Sequence, residues 1–120
     1  MTEEYYWELY EAFEEQLQSQ LLSVDDSINA LYLTDSSQEI YNDLFRYFHS
    51  FKATAAYLEL SPIEILSAKA EVVLNSLRES HQIINDQIIQ WLLLVKEEMH
   101  KYADEIALRQ KELSPASNEV

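Results

Sequence analysis

The chain has 120 residues, a formal net charge of −14, no glycine, no cysteine and two prolines. That length suits one domain with a single hydrophobic core, and the missing cysteine excludes a disulfide framework, a thiolate nucleophile and a thiolate metal site. The first 45 residues hold eleven Asp or Glu and no Lys or Arg, a surface that repels nucleic-acid backbones and anionic lipid, so neither nucleic acid nor membrane is an expected partner.

Without glycine, tight hairpins and left-handed caps are scarce, and the expected class is all-α. The start Met1-Thr2-Glu3-Glu4 is too acidic for a signal peptide. The longest apolar run, Trp91 to Val95, is far shorter than the roughly 20 residues of a membrane span. A cytoplasmic location is expected.

Helix one starts with Thr2 as cap and glutamates in its first turn, where they suit the positive end of the helix dipole. Tyr6, Leu9, Phe13, Leu17, Leu21, Val24 and Ile28 repeat at helical spacing, so the helix is expected to reach about Leu31. Tyr5, Tyr6, Trp7 and Tyr10 crowd its start, as a well-filled bundle end would. Asp35-Ser36-Ser37 then closes a short loop and offers caps for helix two.

In helix two, Ile40, Leu44, Phe48, Phe51, Ala55 and Leu58 form one apolar stripe. His49 falls roughly 150° from the middle of that stripe, facing outward. Phe45, Lys52 and Ala53 lie one turn away, with Tyr41 and Ala56 two turns off on the same side. An ordinary solvated face would carry Glu, Lys and Gln there; small and apolar neighbours instead suit a partner that approaches closely. Lys52 could neutralise an anion attached to the imidazole.

Ser61-Pro62-Ile63-Glu64 marks the start of helix three, with serine as cap, proline first and glutamate third. Its inner stripe is Ile63, Leu66, Ala70, Val73, Leu74 and Leu77, with Glu71 beside it. The short Glu59-Leu60-Ser61 link favours antiparallel packing on helix two. Helix four is expected from Gln82 to Arg109 on a seam of Ile84, Ile88, Trp91, Leu92, Val95, Met99, Tyr102 and Ile106, long enough to extend past the bundle. Lys96, Lys101, Arg109 and Lys111 suit its negative pole. Residues 1–112 thus form the bundle, and 113–120 read as a polar, disordered tail.

Other constellations are incomplete. Glu97-x-x-His100 has the spacing of a carboxylate-bridged di-metal bundle but lacks a second copy, so no metal is expected. His81, beside a helix junction, reads as a surface residue. There is no phosphate loop and no nucleophile elbow, so the chain is not expected to be an enzyme by itself.

The run His49-Ser50-Phe51-Lys52-Ala53-Thr54-Ala55-Ala56-Tyr57-Leu58-Glu59-Leu60 resembles the histidine-containing phosphotransfer (HPt) motif, most closely the N-terminal domain of chemotaxis-type histidine kinases. The similarity extends from the first helix through Leu77-Arg78. It implies an antiparallel up-down four-helix bundle with a long C-terminal helix, whose histidine carries a phosphoryl group between a histidine kinase and the aspartate of a response-regulator receiver domain. On this resemblance His49 is the phosphoacceptor, Lys52 meets the phosphoryl oxygens, and Glu71 accepts a hydrogen bond from the other ring nitrogen. Docking is expected on Tyr41, Phe45, Ala53 and Ala56 with part of helix one. No cofactor is implied, because magnesium belongs to the receiver, and a monomer is expected. Ala53 and Glu59 replace family glycines, which leaves an adaptor or inhibitor that binds a kinase or receiver without carrying phosphate as the alternative.

Overall fold

A computed structural model describes residues 2–33, 37–80, 85–109 and 111–120. Helices α1 (Glu3–Ala30), α2 (Gln38–Tyr57), α3 (Ser61–Ser80) and α4 (Asp86–Ala107) account for its regular structure. Cross-helix bonds fix their directions. The Tyr6 hydroxyl near the start of α1 donates to the Leu58 carbonyl at the end of α2, 2.9 Å away. Gln38, at the start of α2, donates to the carbonyl of Arg78 near the end of α3. Arg109, just past α4, reaches Glu11 of α1 at 3.0 Å. Each of these pairs is therefore antiparallel, giving the up-down four-helix bundle that the sequence implies.

The core follows the expected stripes with a few exchanges. In α1, Tyr10 is fully buried beside Phe13, Leu17, Leu21, Val24 and Ile28, while Tyr6 and Leu9 are half-buried against it. In α3, Ser67 takes a buried place and Val73 lies at the margin. In α4, Ile89 is the buried residue of the first turn, with Ile88 and Trp91 at the edge. The largest exchange is in α2, where Tyr41 is 1 % exposed and Ile40 is only partly buried. Tyr41 precedes Phe48 by seven residues, two turns less about 20°, so it stacks on the Leu44–Phe48 stripe rather than on the His49 side.

The helix ends show how a chain without glycine turns. Thr2 caps α1, its Oγ1 accepting from the Tyr5 amide at 3.1 Å. Asn85 caps α4 in the same way, accepting from the Ile88 amide at 2.9 Å. Ser37 occupies the α2 cap position without a side-chain hydrogen bond, and Asp35 and Ser36 lie outside the described residues. Between α2 and α3, Glu59 takes the left-handed conformation, with φ 60°. The Leu60 amide donates to the Ala55 carbonyl at 2.8 Å and the Glu59 amide to the Ala56 carbonyl at 3.2 Å. These are the two bonds of a Schellman motif, and buried Leu60 and Ala55 supply its apolar contact. The Leu60 carbonyl then accepts from the amides of Ile63 and Glu64, so Ser61 is the first residue of α3 rather than the cap before it.

Helix α4 ends at Ala107, two residues before the expected Arg109. It is 22 residues long against 28 for α1, and the expected start at Gln82, like Ile84 and His81, lies outside the described residues. Its buried seam runs to Ile106, one residue before its end, so it stays within the bundle. No basic residue lies in its last turn. The cations instead cover the aromatic start of α1: the Arg109 guanidinium lies 4.6 Å from the Trp7 ring centre, and Lys111 lies 4.6 Å from that of Tyr6. Residues 113–120, expected to be disordered, make contacts with the bundle. Leu113 and Val120 pack against the core, the Ser114 amide and hydroxyl donate to Glu105, and Lys101 donates to the Pro115 carbonyl. No helix among the described residues is long and apolar enough to cross a membrane.

Candidate functional site

The α2–α3 pairing brings residues 49, 52 and 71 to one place. His49 Nδ1 lies 3.2 Å from Glu71 Oε1, and Lys52 Nζ lies 2.7 Å from Glu71 Oε2. A three-residue step on α2 places Lys52 one turn from His49, so both reach the same carboxylate across the antiparallel interface. Glu71 is the enclosed member, its side chain 17 % exposed against 59 % for His49. Burial by itself would raise the Glu71 carboxyl, but the hydrogen bonds from Lys52 and His49 and their charges outweigh it and hold the carboxyl below its ordinary 4.5.

An ionised carboxylate only accepts, so the hydrogen bond requires the proton of a neutral His49 to sit on Nδ1. That tautomer leaves the lone pair on Nε2, the far corner of the more exposed side chain. Which nitrogen keeps its lone pair is thereby chosen by the partner of the other one. Lys52, expected beside an anion on the ring, is paired with Glu71 in this state. An anion joined to Nε2 would compete with the carboxylate for it.

Around the triad, Ala53 and Ala56 are exposed and Phe45 is half-buried beside His49. Tyr41, placed on this surface by its spacing, is in the core and does not belong to it. On the other flank, Gln16 of α1 donates to the Ser50 hydroxyl at 2.8 Å, which fixes α1 beside the histidine helix. Two contacts escaped the sequence reading. Phe45 lies nearly parallel to the His49 ring, 13° apart with centres 5.9 Å apart, and the Arg78 guanidinium carbon lies 3.9 Å from the Phe45 centre. Their signal was Arg78 itself, seven residues after Glu71 and so on the same face of α3.

A second histidine also meets a carboxylate. His100 of α4 places Nε2 2.9 and 3.0 Å from the two oxygens of Asp25 in α1. Its expected neighbour Glu97 is exposed. No group of three or more His, Asp or Glu suited to a metal occurs among the described residues.

No curated protein and no solved structure matches the chain. A family model, described as the Hpt domain, matches residues 8–114, which include α2, α3 and the whole His49 cluster. Hpt domains are phosphocarriers of two-component signalling that interact with histidine kinases and receiver domains, and they are not catalysts. With that match running over most of its length, the chain belongs to the Hpt domain family.

Proposed function

We propose that the chain relays a phosphoryl group through His49 Nε2, between a histidine kinase and a receiver aspartate. The observation that carries this reading is the engagement of the imidazole by one nitrogen: Nδ1 meets Glu71 on a side chain that is 59 % exposed, which leaves Nε2 as the nitrogen for a phosphoryl group. In the first step the Nε2 lone pair attacks the γ-phosphorus of ATP held by the kinase. The N–P bond forms as the bond to the bridging oxygen breaks, and ADP leaves. The Nδ1 proton stays in place, and Glu71 offsets the positive charge that the substituted ring acquires. Lys52 turns from Glu71 to the phosphoryl oxygens. In the second step a receiver carboxylate oxygen attacks phosphorus, the N–P bond breaks, and neutral His49 is restored. The receiver, and not this chain, would hold magnesium, which would supply the remaining charge balance.

Phe45, Ala53 and Ala56 form the surface on which a receiver settles, with the small side chains letting its active site reach Nε2. Replacing the family glycine with Glu59 leaves the left-handed turn in place and lies away from the triad, so it does not favour a carrier that has lost its phosphate. The direct test is intact mass after incubation with phosphoramidate. One acid-labile adduct on the wild type, absent from His49→Gln, is expected; no adduct, or one retained by the variant, would overturn the reading. Ala53→Glu should leave helicity unchanged yet slow transfer to a receiver by roughly tenfold or more, because a buried, unpaired charge at a packed contact costs well over 1 kcal/mol. Transfer at the wild-type rate would show that receivers dock elsewhere.

A further inference from the structure

Glu71 holds one edge of the His49 ring through a single 3.2 Å contact, at the long end of the N–H···O range. The side chain is 59 % exposed, so this contact alone leaves the ring free to sample other rotamers. A second restraint comes from a different direction. Phe45, one turn earlier on α2, lies along the imidazole at 13°. Phe45 is itself held from α3, where the Arg78 guanidinium sits over its ring at 3.9 Å, a cation–π contact.

Arg78 is in turn tied at both its head and its backbone. Its Nη2 donates to Asn75 Oδ1 at 2.8 Å, and its carbonyl accepts from Gln38 at the start of α2. The same helix pairing that brings Glu71 to the ring edge thus brings Arg78 to the aromatic beside it. Phe45, Glu71, Val72 and Asn75 line a shallow cavity of about 160 Å³ at this point, so the Phe45 ring has space to move into if Arg78 releases it.

We propose that Arg78 is a positioning residue for His49, acting through Phe45: the cation pins the phenyl ring, and the phenyl ring keeps the imidazole in the rotamer that presents Nε2 outward. The consequence for rate rests on the reading of His49 as phosphoacceptor. With two χ1 wells open to a residue in the middle of a helix, releasing the ring lowers the competent fraction, and with it the phosphorylation rate, by about twofold.

Two readouts on the full chain test this separately. In the unphosphorylated protein, the His49 ring protons feel the Phe45 ring current; Arg78→Gln should shift them toward the values seen in Phe45→Leu, and Arg78→Lys should fall between. With phosphoramidate, Arg78→Gln and Phe45→Leu should each react about twofold more slowly, the lysine variant should recover part of the rate, and the pH profile should keep its shape. Unchanged His49 signals and rate in a natively helical Arg78→Gln protein would overturn the proposal. Should that variant fail to fold, a wild-type rate in Phe45→Leu overturns it equally. If even the wild-type chain takes no phosphoryl group, the phosphoacceptor reading fails, and the ring shifts alone still decide whether Arg78 positions His49.

Discussion

Among the described residues the bundle contains two histidine–carboxylate pairs, and they are tied by opposite nitrogens. At His49 the nitrogen nearer the helix, Nδ1, meets one oxygen of Glu71, and the outer Nε2 is left with its lone pair. At His100 the outer Nε2 meets both oxygens of Asp25, so it must carry a proton, and a neutral ring then keeps its lone pair on Nδ1, the nitrogen nearer the backbone. The surroundings differ in the same sense. His49 has Phe45, Lys52 and Ala53 one turn away, whereas His100 has Glu97 and Asp104 among its nearest helix neighbours. In the proposed function the first pair prepares a nucleophile, whereas the second joins α1 to α4. One hydrogen-bond partner, placed on one nitrogen or the other, separates the two outcomes.

The largest effect expected from this contrast is on phosphorylation itself. His49→Gln should abolish the acid-labile adduct, while His100→Gln should change its rate by less than about twofold, since the second ring offers no outward lone pair. Intact mass read against time compares them, and an adduct that depends on His100 would dissolve the distinction. Glu71→Gln should slow the reaction by about tenfold, because a hydrogen bond to a charged group worth about 1.5 kcal/mol or more is lost as the ring becomes cationic. Stability gives this pair a sign. The folded Glu71 carboxyl ionises below its ordinary 4.5, so its stabilisation is complete above that value and fades as pH falls through the lower folded one. The urea midpoints of wild type and Glu71→Gln should therefore differ at neutral pH and converge in acid.

Smaller effects belong to positions outside the triad. Asp25→Asn should leave the phosphorylation rate unchanged and lower unfolding free energy by about 1 kcal/mol or less, the range of a partly exposed ion pair. A rate loss without a stability loss would reverse the roles assigned to the two histidines. Glu59→Gly should stabilise the fold by about 0.5–1 kcal/mol, because a side chain at φ 60° is disfavoured where glycine is not. A lower thermal midpoint for that variant would contradict the account of the α2–α3 turn.

Much of this was legible in the residues. Spacings of three and four on Phe13, Leu17 and Leu21, or on Leu92, Val95 and Met99, leave little choice but a helix with one buried face, and Thr2 announced its own cap. Residues 49, 52 and 71 were legible because the motif resembles a known family and because a short link forces antiparallel packing. Tyr41 was placed on the wrong face because a wheel centred on Ile40 rotates the stripe by one residue, and a phenol reads equally well as core or surface. The tie between His100 and Asp25 spans 75 residues between α1 and α4, and no local pattern encodes such a meeting. Arg109 and Lys111 looked like helix-pole charges because the sequence does not show that the aromatic start of α1 lies against them.

The choice of nitrogen is tested most directly by long-range 1H–15N NMR correlation of the phosphorylated chain. The account predicts a single phosphohistidine, at His49, with the phosphoryl group on Nε2 and the proton retained on Nδ1. A phosphoryl group on Nδ1 of His49, or on either nitrogen of His100, would contradict it.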